Sequence, residues 1–309
     1  MNLRPLILLF GVLAMAFAVQ AQSARELSEQ ALADLDANRY DSAITNFKKL
    51  IAIDPSVAAG HFGLGMAYFF KDDFENAVPS LETAYRLDPS LASARRYLAS
   101  SYYALQRYQA AADSYSAVVK DDPKDRSAWT FLGNSLDYLN RFDEAVAAYR
   151  KAIALEPGHA EAWCEVGTAY YRNQKFADAR EPLKTCLSLR PDDHDKERLL
   201  ANSYYNTNEY ANALDLYKKI TARTPKDPVA HLFLGDTYLQ LGRVEDAINS
   251  FKLSLALDPS LPQAVDKLGR CYILQKDLAA AKAQYTRLLE LDPARAAKFW
   301  EIYVKYGGK

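Results

Sequence analysis

The chain has 309 residues, of which 50% are hydrophobic and 25% are charged, an ordinary composition for a folded globular protein. Its 38 basic and 39 acidic residues give a formal net charge of −1, and the two signs are interspersed along the chain. This balance excludes the long-range positive field that draws a protein to nucleic acid or to an anionic membrane surface, so we expect neither partner.

The first 21 residues have the layout of a secretory signal peptide. Arg4 supplies a positive start, residues 6–19 are uncharged and largely apolar, and residues 19–21 offer a small-residue cleavage site. The apolar run is shorter than the about 20 residues that span a bilayer comfortably. An uncleaved anchor or a separate N-terminal helix is the alternative. We expect an exported chain, periplasmic or extracellular, that does not span the membrane after cleavage.

From residue 24 onward the sequence repeats at a fixed interval of 34 residues. One series of residues at this interval consists of prolines: Pro55, Pro89, Pro123, Pro157, Pro191, Pro225, Pro259 and Pro293. A second consists of alanines: Ala43, Ala77, Ala111, Ala145, Ala179, Ala213, Ala247 and Ala281. Two residue types at one fixed spacing predict eight copies of one supersecondary unit. Their predicted bounds are 24–57, 58–91, 92–125, 126–159, 160–193, 194–227, 228–261 and 262–295, and a capping helix and tail follow at 296–309.

A single copy predicts two helices. In residues 126–159, an apolar stripe with helical spacing runs from Trp129 to Leu136, and a second runs from Phe142 to Ala152. Pro157 then ends the pattern, because proline lacks an amide and disfavours helix at the residue before it. The unit is therefore a pair of antiparallel helices joined by short turns.

These residues resemble the tetratricopeptide repeat (TPR) signature, which has the same 34-residue period. The matching positions in this copy are Trp129, Leu132, Gly133, Ala145, Tyr149, Ala152 and Pro157. The resemblance covers residues 24–295 and implies an all-α fold, a right-handed superhelical α-solenoid of antiparallel helix pairs. The first copy departs from the signature at Gln30, Ala31 and Asp34, as a terminal repeat facing solvent would.

The sequence contains no pattern that predicts catalysis or a cofactor. There is no HExxH, GxxxxGK[ST], GxSxG or CxxC motif, and the cysteines Cys164, Cys186 and Cys271 lack metal-ligand spacing. We therefore expect no enzyme, no metal and no cofactor. Cys164 and Cys186 fall on the two helices of one copy and could pair after export, and buried unpaired thiols are the alternative.

Two further features concern the helix ends. The acidic pairs at 72–73, 121–122 and 192–193 precede predicted helices, so we expect them to cap those helices. Pro79 and Pro182 fall early in second helices, where they predict a bend or a late helix start.

The TPR resemblance also implies a binding surface, since the first helices of such arrays line a concave groove. The side chains that it places there are Phe62, Met66, Phe69, Phe70, Arg96, Tyr103, Asn134, Tyr138, Tyr171, Arg172, Arg198, Asn202 and Tyr205. An apolar, tyrosine-rich channel with a few arginines and asparagines suits an extended or helical peptide. Each tyrosine has the alternative of filling the seam between adjacent repeats.

The resemblance thus implies a non-catalytic protein–protein interaction scaffold or adaptor, exported to a bacterial envelope, that holds a peptide or protein segment in its groove. An accessory subunit of an envelope enzyme, or of a complex that makes or exports polysaccharide, is one alternative. A self-assembling structural protein is another.

Overall fold

The computed structural model describes residues 22–309, and this range consists of helices joined by short turns, without a strand. The expected signal peptide lies outside the described residues. The helices, numbered in chain order, are α1 (22–36), α2 (Tyr40–Ile53), α3 (Ala58–Phe70), α4 (Phe74–Leu87), α5 (Ala92–Ala104), α6 (Tyr108–Asp121), α7 (Arg126–Tyr138), α8 (Phe142–Leu155), α9 (Ala160–Arg172), α10 (Phe176–Leu189), α11 (His194–Asn206), α12 (Tyr210–Arg223), α13 (Pro228–Gln240), α14 (Val244–Leu257), α15 (Pro262–Leu274), α16 (Leu278–Leu291) and α17 (Pro293–Lys305).

The chain divides into two compact units, and the division falls inside α9, between Ala162 and Trp163. In the first unit each helix from α2 to α8 packs on the next, and in the second the same holds from α10 to α17. Alternate helices also touch, α3 against α5 and α13 against α15. An all-helical chain in which each helix packs mainly on its neighbours in sequence has the arrangement of an α-solenoid, which confirms the predicted fold class.

Small residues set the distance between the paired helices. Ala145 on α8 is completely buried, and a Cβ built on Gly133 of α7 would lie 2.6 Å from Cε1 of Tyr149. Real Cβ atoms do not approach a ring that closely. The pair α7–α8 therefore packs at a separation that larger side chains at these two positions would prevent.

The turn inside each pair uses a residue in the left-handed conformation. Such residues recur at the repeat interval, at Asn38, Asp72, Gln106, Asn140, Gln174, Asn208, Gly242 and Lys276. At Asn140, φ is 59°, and the next amide, that of Arg141, donates to the carbonyl of Leu136 at 2.8 Å. This geometry satisfies the last carbonyls of the first helix and reverses the chain at once. Gly242 and the four Asn or Asp residues adopt this conformation readily, whereas Gln106, Gln174 and Lys276 each carry a left-handed penalty of about 1 kcal/mol.

The turn between pairs is built on an Asp-Pro-Ser sequence at three places. In the first, the amide and hydroxyl of Ser56 both donate to Oδ1 of Asp54, at 2.9 and 2.6 Å. The hydroxyl bond is the main cause that lowers the pKa of Asp54 from its ordinary value, and the amide bond adds to it. The same contacts recur at residues 88–90 and 258–260.

Two of the three expected acidic caps are confirmed. Asp73 accepts a hydrogen bond from the amide of Asn76, and Asp193 accepts one from the amide of Lys196. The prediction for residues 121–122 was wrong, because α6 runs on through Asp121.

The cap of α7 is instead Asp125, the residue just before that helix, which accepts from the amide of Ala128 at 3.0 Å. Of the two alternatives predicted at Pro79 and Pro182, the late helix start was wrong, because α4 and α10 begin earlier and contain these prolines, and the bend stays a prediction. Each proline removes one helical hydrogen bond, but buried residues on both sides of it keep the helix continuous.

No helix within residues 22–309 has both the length and the apolar character needed to cross a membrane.

Candidate functional site

Aromatic rings around α3 form a continuous group in the first unit, which we call the α3 cluster: Tyr40, Phe62, Phe69, Phe70, Phe74 and Tyr97. The ring of Phe69 lies 5.0 Å from that of Tyr97, and Phe70 lies 5.8 Å from the same ring. Phe62 closes the group at 6.0 Å from Tyr97. Phe70 remains 40% exposed. The structure thus brings three predicted site residues together and leaves one of them open to solvent.

A second group, the α7 cluster, follows along the same unit and contains Tyr103, Tyr108, Tyr115, Phe131 and Tyr138. Tyr138 stacks on Tyr108 with their ring centroids 4.4 Å apart, and Tyr103 meets Phe131 edge-on at 5.5 Å. Tyr138 is 48% exposed although it is stacked on one side. An exposed ring that is held in place by a neighbouring ring loses little conformational freedom when it binds.

The aromatic rings that begin the second helices were not among the predicted site residues. Phe69 meets Phe74, and Tyr103 meets Tyr108, in edge-to-face contacts of 5.5 and 5.7 Å. The second unit repeats this contact at 5.4 Å, between Tyr171 and Phe176 and between Tyr205 and Tyr210. The spacing of these rings is a whole number of repeats, so the period could have identified them: Tyr40, Phe74, Tyr108, Phe176 and Tyr210.

The predicted polar residues of the first unit already have partners. Asn134 accepts a hydrogen bond from the hydroxyl of Tyr149 at 2.7 Å. Arg96 pairs with Oδ2 of Asp125 at 2.7 Å, while the other oxygen of that carboxylate caps α7. Met66 is half-buried on α3. Arg96 stays exposed although it is ion-paired, so the surface at these positions consists of the exposed rings and this paired arginine.

In the second unit the predicted residues belong to a hydrogen-bonded network. Asn202 donates to the hydroxyl of Tyr171 at 3.1 Å and accepts from the hydroxyl of Tyr217. Tyr205 donates to Asp236 at 2.7 Å, and Lys267 pairs with the other oxygen of that carboxylate at 2.7 Å. Burial first, and the bond to Asp236 second, raise the pKa of Tyr205, so it remains a neutral donor.

The remaining two predicted residues are exposed arginines. Arg198 pairs with Asp195 at 3.1 Å, and Arg172 lies at the end of α9. Together with the network around Asn202 and Tyr205, they make this part of the second unit polar, whereas the corresponding part of the first unit is aromatic.

The structure joins Cys164 and Cys186 in a disulfide that links α9 to α10. Both residues are buried, at 1% and 0% exposure. The carboxylate of Asp193 lies within 4.8 Å of both sulfurs, but disulfide sulfurs provide no thiolate for a metal. Cys271 is a free buried thiol whose pKa burial raises to about 12, so it is protonated and unreactive at neutral pH.

Comparison with protein families identifies the repeated unit. A model described as the C-terminal domain of cilia and flagella-associated protein 70, a TPR domain, matches residues 13–227. Two models described as tetratricopeptide repeats match residues 198–262 and 262–295. No curated protein matches the chain in sequence.

Solved structures share the fold at low sequence identity. The C-terminal part of a TPR protein from Cytophaga hutchinsonii is 20% identical, with a TM-score of 0.66, and the match covers 78% of this chain and 99% of that one. YrrB, described as a TPR protein with an unusual peptide-binding site, is 18% identical, with a TM-score of 0.55, over 62% of this chain and 99% of its own. MamA is 24% identical, with a TM-score of 0.53, over 57% and 96%. These similarities show the fold alone.

Proposed function

Because this chain belongs to the tetratricopeptide repeat family, whose models match it across residues 13–227 and again from 198 to 295, we propose that it is a non-catalytic scaffold that holds a peptide or protein segment in a groove lined by its first helices. TPR proteins are protein-interaction scaffolds, and the fold is typical of proteins without catalysis. We further propose that the chain contains eight tandem repeats followed by a C-terminal capping helix, and that it is exported to a bacterial envelope with its signal peptide cleaved.

The exposed rings of Phe70 and Tyr138 carry this proposal. Each belongs to an aromatic cluster that fixes its orientation, and both occupy the last position of a first helix, two repeats apart in the sequence. Aromatic side chains supply large contact area at a small cost in conformational entropy, and they are enriched at the centres of protein interfaces. Since Asn134 bonds to Tyr149 and the charge of Arg96 is paired with Asp125, the ligand is selected chiefly by its apolar side chains.

The disulfide supports the exported location. Disulfides persist in oxidising spaces such as the bacterial periplasm and are rare in the reducing cytosol. The Cys164–Cys186 pair therefore agrees with the signal-peptide layout of residues 1–21, which is an independent feature of the chain.

The test is a binding measurement on the double variant Phe70→Ala/Tyr138→Ala. A partner captured from envelope extract is first identified, and its binding segment is then titrated by calorimetry against the parent and the variants. Truncation of aromatic anchors costs about 2 kcal/mol or more, so the double variant should bind at least about tenfold more weakly.

Leu253→Ala is the matched control, because Leu253 is a comparably exposed apolar residue, at 46%, on a second helix. It should bind as the parent does, and circular dichroism should show the same helix content in all three proteins. Equal affinity of parent and double variant would exclude this surface as the binding site.

A further inference from the structure

The first unit has a cavity on the side of its second helices, between α6 and α8. Its volume is about 320 Å³, and its floor is formed by Trp129, Leu132 and Leu136 of α7. The indole N–H of Trp129 already donates to the carbonyl of Pro123 at 3.0 Å, so the ring presents apolar surface. The predicted groove residues of the same helix, Asn134 and Tyr138, do not line this cavity.

The cavity exists because two positions of α6 carry small side chains. Ala112 lines it where residues at the same repeat interval are larger: Ile44, Val78, Val146, Arg180, Leu214, Ile248 and Lys282. Ser116 lines it where most equivalent residues have long side chains: Lys48, Glu82, Arg150, Lys184, Lys218 and Lys252. On α8, Ala147 and Ala148 leave the opposite wall equally open. In most other repeats, larger side chains at the positions of Ala112 and Ser116 would occupy the space that is open here.

The rim of the cavity carries no net charge. Two acids, Asp113 and Glu144, face two bases, Arg141 and Lys151. Arg141 also holds Glu144 in a fork of two hydrogen bonds, each 2.7 Å long. A balanced rim attracts neither an anion nor a cation, so an apolar floor below it favours a neutral ring.

We propose that this cavity, the α7 pocket, binds a neutral aromatic side chain of a partner polypeptide, on a face separate from the proposed groove. Its volume is at the lower limit of small-molecule sites, so it holds one ring system. One ring alone provides too few contacts to retain a free molecule tightly. The same ring within a longer polypeptide acts as an anchor whose binding energy adds to that of its flanks.

The test uses the chain labelled with 5-fluorotryptophan, since it contains only three tryptophans, Trp129, Trp163 and Trp300. Fluorine NMR follows a titration with a capped alanine–tryptophan–alanine peptide, with free indole and with a capped alanine tripeptide. A Trp129→Phe variant assigns the resonance of the pocket. The tryptophan peptide should shift that resonance to saturation at millimolar concentrations or below, and the alanine peptide should not.

Two substitutions close the pocket without touching its floor. Ser116→Lys places a long side chain over the mouth, and Ala112→Val supplies the residue found in two other copies. Each should weaken binding about tenfold or more. The matched control is Thr286→Lys, which introduces a lysine at the equivalent position in the second unit, and it should bind as the parent does.

Three outcomes overturn the proposal. The first is no saturable shift of the Trp129 resonance, and the second is a shift that persists in both closing variants. The third is equal affinity for indole and the peptide, which would assign the pocket to a free small molecule. The groove variant Phe70→Ala/Tyr138→Ala retains this pocket, so failure of one site is distinguishable from failure of the other.

Discussion

Replacing Cys164 and Cys186 together by alanine removes the covalent link between α9 and α10. The bond closes a loop whose ends are 22 residues apart, and for that length the chain-entropy treatment gives a contribution of about 3 kcal/mol to the free energy of unfolding. Both side chains are buried, so the lost sulfur atoms also leave a small cavity, which adds a further cost of the same sign.

The loss should be local, because each helix pair of a repeat array contacts only its neighbours and opens almost independently. Amide hydrogen exchange followed by mass spectrometry shows which helices lose stability. A decrease of about 3 kcal/mol in the opening free energy corresponds to exchange roughly 100-fold faster, and we expect it in peptides from α9 and α10 and not in those from α3.

Cys271→Ala is the control, because it removes a buried thiol that makes no disulfide. Alkylation of the unfolded, unreduced parent protein should modify one cysteine, and prior reduction should raise the number to three. Modification of all three without reduction, or unchanged exchange in the double variant, would refute the reasoning.

Four further outcomes are expected. Ala145→Leu overpacks the contact between α7 and α8 and should lower the free energy of unfolding by about 1–3 kcal/mol in a denaturant titration; an unchanged midpoint contradicts the packing described. Gln174→Gly relieves a left-handed residue and should stabilise by about 1 kcal/mol in the same titration, whereas Gly242→Ala should destabilise by a similar amount. The pKa of Asp54 is lowered in the folded state, so its stabilising contribution is present at neutral pH and is lost as the pH falls through that lowered value; Ser56→Ala should return this pKa towards its ordinary value, and an unchanged carboxyl titration by NMR would contradict the hydrogen bond. Protein recovered from the cell envelope should lack residues 1–21 by intact mass, and a full-length mass would contradict cleavage.

Much of the fold follows from the repeat period, because alanines and prolines at fixed intervals mark where helices cross and where they end. The left-handed turns could not be predicted in the same way. Asn140 tolerates that conformation, but Gln106, Gln174 and Lys276 have no local preference for it. Packing of the two flanking helices imposes the turn there, and no single residue in the sequence signals it.

The candidate site was only partly predictable for a similar reason. The rings of α3 stood out because three of them share one face, but Tyr40, Phe74 and Tyr108 were missed because they begin second helices. The engagement of Asn134 and Asn202 depends on distances between helices. The sequence nevertheless contained a pattern that could have indicated these hydrogen bonds, since each asparagine precedes its tyrosine partner by 15 residues.

These polar pairs limit how an array of this kind grows or shrinks by duplication and deletion of its gene. Ser100 bonds to Tyr115 as Asn134 bonds to Tyr149, always within one helix pair. A deletion of one repeat length that begins at the start of a first helix removes or keeps both partners together. A deletion that instead removes α4 and α5 joins α3 to α6, and the buried hydroxyl of Tyr115 then loses Ser100 as its partner, at a cost of about 1–3 kcal/mol. The helix pair is therefore the unit that evolution or an engineer can copy while keeping each of these hydrogen bonds intact.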